Sequence, residues 1–543
     1  MKRLACLIMW VLTVFSLTSC GSEKAYRISY DLPGEPANLD PQTAVDTSSL
    51  TVINNIFEGL FSISDKGEPE NALALSYEKS GDGLTYTFLL RKDAVWSGRD
   101  EDGKEILTPV TAHDFEFAFR RLLRPSTASP AAAQYYCIRN AEAVHKGEMD
   151  ETQLGVKALS DDKLQITLSV PNDHFLYLLA ATYASPCNEE FFNATRGKYG
   201  LEPSTIMANG AFDLRSWRHS ESVKLIRNEN YYDAAQVLPD GVNLWIPDIP
   251  EGSDASQTAA SRLGSESIDG AVIKGKDMDP LSGKGYQSEP IENAVWGLLL
   301  NQKNPALKNS EIRRAIACAF DRKSYSGHME ADLSEARALI PHSVTYYGMN
   351  FREFAGNDLT QQFDAAIAYE HYKAGLDELN ESGISGLRLL VNADEGKEAS
   401  EYFLYASQIL QKELSLFISV DQLPEKEYNA RLKSGQFDIA LCSLQAADNT
   451  PWSLLSRFMS GDPRNYISYR NEALDQLLNL TISNATGREA LEACQKAERM
   501  ILEDAAFIPM YYSTDYFVTR PDVSGLVYNA QTGLVSFRSA ALA

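Results

Sequence analysis

Residues able to do chemistry are thinly spread along this chain. The stretch 437–451 joins an apolar run of strand length, Phe437 to Leu444, to a small and polar tail that carries Asp448 and ends at Pro451. In an open α/β sheet, ligands collect beyond the carboxyl ends of strands. The stretch therefore reads either as a core strand delivering backbone and an acid to a cleft, or as an ordinary buried strand with a surface loop. These residues alone favour the second reading. Gly270-Ala-Val-Ile-Lys-Gly-Lys276 has the spacing of a phosphate-binding loop. Asp277 follows it where a hydroxyl should hold Mg²⁺, and a carboxylate there repels phosphate, so the match reads as chance. The seven histidines form no H-E-x-x-H, and no G-x-S-x-G elbow or C-x-x-C pair occurs. The pairs Asp161-Asp162 and Glu189-Glu190 read as solvated surface. No catalytic constellation, metal site or cofactor site is expected.

Composition narrows the partners. The 543 residues amount to roughly three or four domains, and 44% apolar content suits a large core. A net charge of −24 argues against nucleic acid, which needs clustered positive charge to displace counterions. It argues equally against a basic surface on anionic lipid. Lys2 and Arg3 precede an apolar run from Leu4 to Leu17, and Leu17-Thr-Ser-Cys20-Gly21 follows. This is the pattern of a secretion signal over 1–19. The Leu-x-small-Cys step resembles the bacterial lipobox, in which Cys20 is lipidated. Membrane attachment is then expected through the lipid alone, because no later apolar run is long enough to span a bilayer. Cys137, Cys187, Cys318, Cys442 and Cys494 remain. Five is odd, so at least one is a free thiol. Cys494 falls on an apolar helix face, and a Cys137–Cys187 bridge stays open.

Strands and helices must position these residues. Alternation marks strands at 26–30, 84–90, 164–170 and 222–227. Helices are predicted over 50–60, after Thr111-Ala-His-Asp114 (a capping-box pattern), from Ser310, through Tyr369 to Leu379, and over 488–504. Strands at 387–391, 416–420 and 507–512 alternate with helices in the second half, which implies a parallel α/β lobe.

Read in order, the motifs resemble family 5 bacterial solute-binding proteins, the oligopeptide, dipeptide and nickel-type substrate-binding subunits of ABC importers. The resemblance rests on Leu39-Asp-Pro41, Ile56-Phe-Glu-Gly-Leu60, Gly81 to Arg91 with Val95-Trp-Ser97, and Val110 to Phe115. It continues through Arg120 to Pro125, Thr127-Ala-Ser-Pro130, Leu154 to Leu159, Asn209-Gly-Ala-Phe212, Ser216-Trp217 and Arg227 to Ala234. Asn301, Ile312-Arg-Arg-Ala315, Ala319-Phe-Asp-Arg322, Phe437-Asp-Ile-Ala440 and Phe507-Ile-Pro-Met-Tyr511 complete it. Each match is weak singly, but their order over about 500 residues is specific.

The resemblance implies an α/β, bilobal periplasmic-binding-protein fold of class II type with an inserted α+β domain. Lobe I would comprise 26–57, 206–295 and 507–543, the insertion 58–205, and lobe II 296–506. An extended oligopeptide would lie between the lobes as an added strand, its side chains in roomy pockets. The implied pairing edges are Val45-Asp46-Thr47 and Ser443-Leu444-Gln445. Asp46 reads equally well as a helix cap. The family's oligopeptide binders hold the ligand ammonium with an aspartate two residues past the second edge. Here Ala447 occupies that place and Asp448 is next, and a one-residue shift in extended chain turns the side chain to the other face. Ala131 replaces the aromatic usual after Thr-Ala-Ser-Pro. The ligand is then an atypical or blocked peptide, another small solute, or a peptide held by a different acid. The implied protein is a monomeric, extracytoplasmic, lipid-anchored partner of permease subunits and not an enzyme. A ligand sensor on the same scaffold is the alternative.

Overall fold

The computed structural model describes residues 26–64, 68–99, 104–172, 174–249, 255–322, 333–346, 349–393, 396–445, 450–483, 487–530 and 532–542. Its spine is one mixed sheet. The strands run in the order Phe212–Arg218, Ser222–Arg227, Gly241–Trp245, Arg27–Asp31, Gly270–Lys274, Phe507–Thr519, Gln287–Leu300, Ile439–Gln445, Leu387–Asn392 and Ile418–Leu423. Leu333–Glu335 pairs separately with Phe507–Thr519. Arg27–Asp31 is parallel to both of its neighbours, and Leu387–Asn392 is parallel to both of its own. Helices therefore have to carry the crossovers at each end.

Two long central strands join the halves. Gln287–Leu300 and Phe507–Thr519 pair antiparallel, and their register shifts between Ile291 and Ala294 and again between Trp296 and Gly297. Such bulges bend a strand and increase its twist. The packing changes sides at the first shift. Ile291 and Phe517 belong to the core that contains Ile28, Val52 and Trp96. Val295, Leu299, Phe507 and Tyr512 belong to a core with Leu454 and Leu491. The returning strand thus changes sides between Tyr512 and Phe517, not at 506, because Phe507 to Tyr512 bury against second-lobe helices.

The segment after Gly59 forms a four-stranded antiparallel sheet of Ala74–Lys79, Thr85–Leu90, Lys163–Thr167 and Val156–Ser160. The helix Ala112–Leu123 lies against it. Asp114 accepts from the Thr111 backbone N–H at 2.8 Å, which fixes the helix start read from the sequence. The buried residues of this unit are continuous with those of the first lobe.

The phosphate-loop spacing has a structural explanation. Gly270–Lys274 is a sheet strand followed by a single 3₁₀ turn, Gly275–Asp277, and not a loop opening a helix. Cys494 is fully buried on its helix, as the apolar spacing implies. Cys137 and Cys187 are both buried free thiols, so the bridge left open by the sequence is not formed. Among the described residues no helix is long and apolar enough to cross a membrane. No His, Cys, Asp and Glu group among them has the arrangement of a metal site.

Candidate functional site

The first expected edge lies where a loop runs into a helix. Asp46 caps the helix Thr47–Ile56: its carboxylate accepts from the Ser49 N–H and the Ser49 hydroxyl, each at 2.7 Å, and from the Ala37 N–H at 3.3 Å. These contacts use the acid locally, which is the capping reading of this residue. Thr47 is the first helical residue, so extended backbone ends at Asp46. Val45 is 66% exposed, and its backbone has no hydrogen-bond partner among the described residues. The segment is held from behind. Tyr183 donates its hydroxyl to the Ala44 carbonyl at 3.0 Å. The buried Arg121 donates to Asp40 at 2.6 Å and to Gln42 at 2.7 Å, and Gln42 donates in turn to the Ser185 carbonyl. Arg121 also reaches the Cys187 sulfur, whose thiol burial pushes up to about 12. The first-lobe loop is thereby fastened to the insertion.

The second edge is the end of the strand Ile439–Gln445. One side pairs antiparallel with Gln287–Leu300, placing Ser443 opposite Trp296 and Gln445 opposite Ala294. The other neighbour, Leu387–Asn392, registers only with Ile439 and Ala440. Residues past Ala440 therefore have one edge beyond the sheet. Tyr428 donates to the Leu441 carbonyl at 2.8 Å, and Arg457 donates to the Gln445 carbonyl at 3.0 Å. N–H and C=O of one strand residue point the same way, and the direction alternates along the strand. Ser443 thus faces the same edge as Leu441 and Gln445, between those two side-chain donors. Leu444 turns its side chain into the core. Asp448 and Ala447, the residues on which ammonium recognition was expected to turn, lie outside the described residues, as does Cys20.

The two halves also touch each other. His174 of the insertion stacks on Tyr177 and comes within 6.3 Å, centroid to centroid, of Tyr346 in the second lobe. His342 of the second lobe hydrogen-bonds Glu292, one of the two residues inside the first register shift of the connecting strand. Beside Ser443 lies a small cavity of about 60 Å³, bordered by Cys442, Leu444, Arg457, Arg464 and Tyr466. The sequence reading missed Arg457 and Tyr428. Arg457 had a local signal, since it is the one charged residue in the otherwise apolar or hydroxylic run Pro451 to Met459. Tyr428 had none.

Two α/β lobes joined by paired bent strands, with an open strand edge in the second, have the architecture of a bilobal solute-binding protein. The fold class implied by the sequence is the observed one. Residues 68–466 match the bacterial extracellular solute-binding proteins, family 5 Middle, and the chain belongs to that family. It is 26% identical over 558 residues to the oligopeptide-binding protein OppA of Bacillus subtilis, covering 99% of each chain. It is 27% identical to the dipeptide-binding protein DppE of the same organism, over 91% of this chain and 88% of that one. Among solved structures, the substrate-binding domain of an oligopeptide ABC transporter from Bacillus anthracis superposes with a TM-score of 0.74 at 29% identity. That match covers 96% of this chain and 99% of the other. Listeria monocytogenes OppA bound to peptide shares the fold, with a TM-score of 0.74 at 24% identity.

Proposed function

We propose that this protein captures extended oligopeptides between its lobes and delivers them to the permease of an ABC importer, without covalent chemistry of its own. The observation that carries this reading is the strand end Ser443–Gln445, whose outward backbone edge continues past its sheet neighbour. A peptide added there satisfies its own amides, and main-chain pairing tolerates varied side chains. Val45, exposed and without a backbone partner among the described residues on a loop anchored at Ala44, is the first-lobe counterpart. The relatives named for oligopeptides and dipeptides support the same ligand class.

In this reading the chain divides as lobe I, insertion and lobe II, closing about the bent strands near Ile291 to Gly297 and Tyr512 to Phe517. The secretion signal is removed before Cys20, and a lipid on Cys20 keeps the monomer at the outer face of the membrane beside its permease. Asp448 is the acid assigned to a ligand ammonium. Closure from a 1:99 to a 99:1 population takes about 5.5 kcal/mol of differential binding. A peptide making several backbone hydrogen bonds in the closed state supplies energy of that order.

The test is thermal unfolding with peptide pools of graded length. Ligand at 100 times its Kd stabilises by about 2.7 kcal/mol, which raises the melting temperature measurably. An unchanged melting temperature across pools of two to ten residues would sink the reading.

A further inference from the structure

One residue of the first-lobe edge is fixed on both sides and unused in the middle. Upstream, Thr43 and Ala44 donate their N–H groups to the Asp40 carbonyl at 3.1 and 3.0 Å. Downstream, Asp46 caps the helix Thr47–Ile56, and its carbonyl accepts from the Leu50 N–H at 3.0 Å. Between them Val45 is exposed, and neither its N–H nor its C=O has a partner among the described residues.

The Ala44 carbonyl shares a peptide plane with the Val45 N–H, and it is held by the insertion. Tyr183, in the turn Thr182–Ala184, donates its hydroxyl to that carbonyl at 3.0 Å. The turn is itself gripped by the fully buried Gln42, whose amide donates to the Tyr183 carbonyl at 3.2 Å and to the Ser185 carbonyl at 3.0 Å. Gln42 thus holds the turn, and the turn holds Ala44. Burial, and then the Asp46 carboxylate, push the Tyr183 hydroxyl above its ordinary value, so it stays a donor at neutral pH. The Asp46 oxygens are occupied by Ser49 and Ala37, which leaves the hydroxyl on the Ala44 carbonyl.

A trans peptide unit is planar, and its C=O and N–H point in opposite directions. Fixing the Ala44 carbonyl on Tyr183 therefore turns the Val45 N–H away from the insertion. Water satisfies an exposed carbonyl at little net cost. A half-buried tyrosine placed there adds direction more than stability.

We propose that Tyr183 is a positioning residue: by holding the Ala44 carbonyl it aims the Val45 N–H at a backbone carbonyl of the ligand. The inference rests on the peptide-capture reading and gives the insertion a part in it, exerted through the first-lobe loop.

The intact protein is labelled with ¹⁵N at valine and serine. Amide exchange at Val45 and Ser443 is followed by nuclear magnetic resonance, without peptide and with a saturating pool of peptides of two to ten residues. On the unmodified protein the Val45 N–H exchanges freely alone and at least tenfold more slowly with peptide. Tyr183→Phe keeps the ring and its packing. In that variant the pool concentration at half-saturation rises about three- to tenfold, the worth of one hydrogen bond. Val45 loses its peptide-induced protection, while Ser443 keeps its own. A Val45 N–H already protected without peptide, or unprotected at saturation, overturns the proposal on the unmodified protein alone. So does a Tyr183→Phe protein in which Val45 protection survives, or in which Val45 and Ser443 lose protection equally, the mark of a merely structural role. Failure of Tyr183→Phe to fold overturns it as well, since the hydroxyl would then hold the fold and not the edge. If no peptide in the pool binds, the capture reading fails and takes the inference with it; binding that leaves Val45 unprotected removes the inference alone.

Discussion

Replacing Asp46 separates a structural acid from a ligand-binding one. The carboxylate makes three contacts, to the Ser49 N–H, the Ser49 hydroxyl and the Ala37 N–H. Asp46→Ala removes all three. Loss of an N-cap costs about 1 kcal/mol, and loss of the loop contact at Ala37 adds about 0.5–1 kcal/mol. The expected total is about 2 kcal/mol. Asp46→Asn keeps one oxygen for the Ser49 N–H but puts an amino group where the other oxygen accepted two donors. Asparagine caps helices as well as aspartate does, so the expected loss is about 1 kcal/mol or less. Unfolding followed by circular dichroism in denaturant measures both differences. Calorimetry with free-amine and N-acetylated peptides reads binding in parallel. A capping acid makes stability fall in the order wild type, Asn, Ala, while Asp46→Asn leaves both peptide affinities within twofold. The reasoning is refuted if Asp46→Asn keeps full stability yet binds free-amine peptide more than tenfold worse, with acetylated peptide unaffected.

Three further outcomes follow from buried groups. Burial pushes the Asp213 carboxyl up to about 6; one oxygen meets only the Ser97 hydroxyl at 3.2 Å, and the other has no partner. Because the folded value lies above the unfolded one of 3.8, the stabilised form is the protonated one, and stability is lost as pH rises from about 4 through 6. Asp213→Asn should therefore gain about 1–3 kcal/mol at pH 7.5 and lose that gain near pH 4. A gain that does not vary with pH between 4 and 8 counts against this. Arg352 and Glu498 form a buried ion pair, and Glu498 also accepts from the Leu339 and Ile340 N–H groups, both at 2.9 Å. Arg352→Met should cost about 3–5 kcal/mol in urea unfolding, and adding Glu498→Leu should recover part of it. At Gly297, a Cβ would stand 2.3 Å from the Ile508 carbonyl oxygen and 2.5 Å from the Phe507 ring. Gly297→Ala should destabilise by about 1–3 kcal/mol and shrink the peptide-induced rise in melting temperature, since relief requires parting the two connecting strands.

The amino-acid sequence by itself determined the elements and their order. Ser310, capped by Asn309, opens a helix as its spacing implied, Ser222–Arg227 is a strand where alternation placed one, and Leu387–Asn392 is a strand where a short apolar run was read as one. These readings depend on periodicity within a few residues, which one element supplies on its own. The same holds for the family resemblance, whose motifs are local strings. Helix starts were less legible: Thr47–Ile56 begins before the expected Leu50 because Asp46 caps it.

Tertiary structure decided what the polar residues do. Asp46 could face a ligand or cap a helix until Ser49 and Ala37 were seen to occupy it. Ser443 became an open edge only because Leu387–Asn392 stops registering at Ala440. Arg457 gained meaning from the Gln445 carbonyl that it meets at the strand end. The side change of the returning strand past Tyr512 depends on helices that pack from elsewhere in the chain. Register and burial are set by residues distant in sequence, and no local pattern encodes which of them arrives.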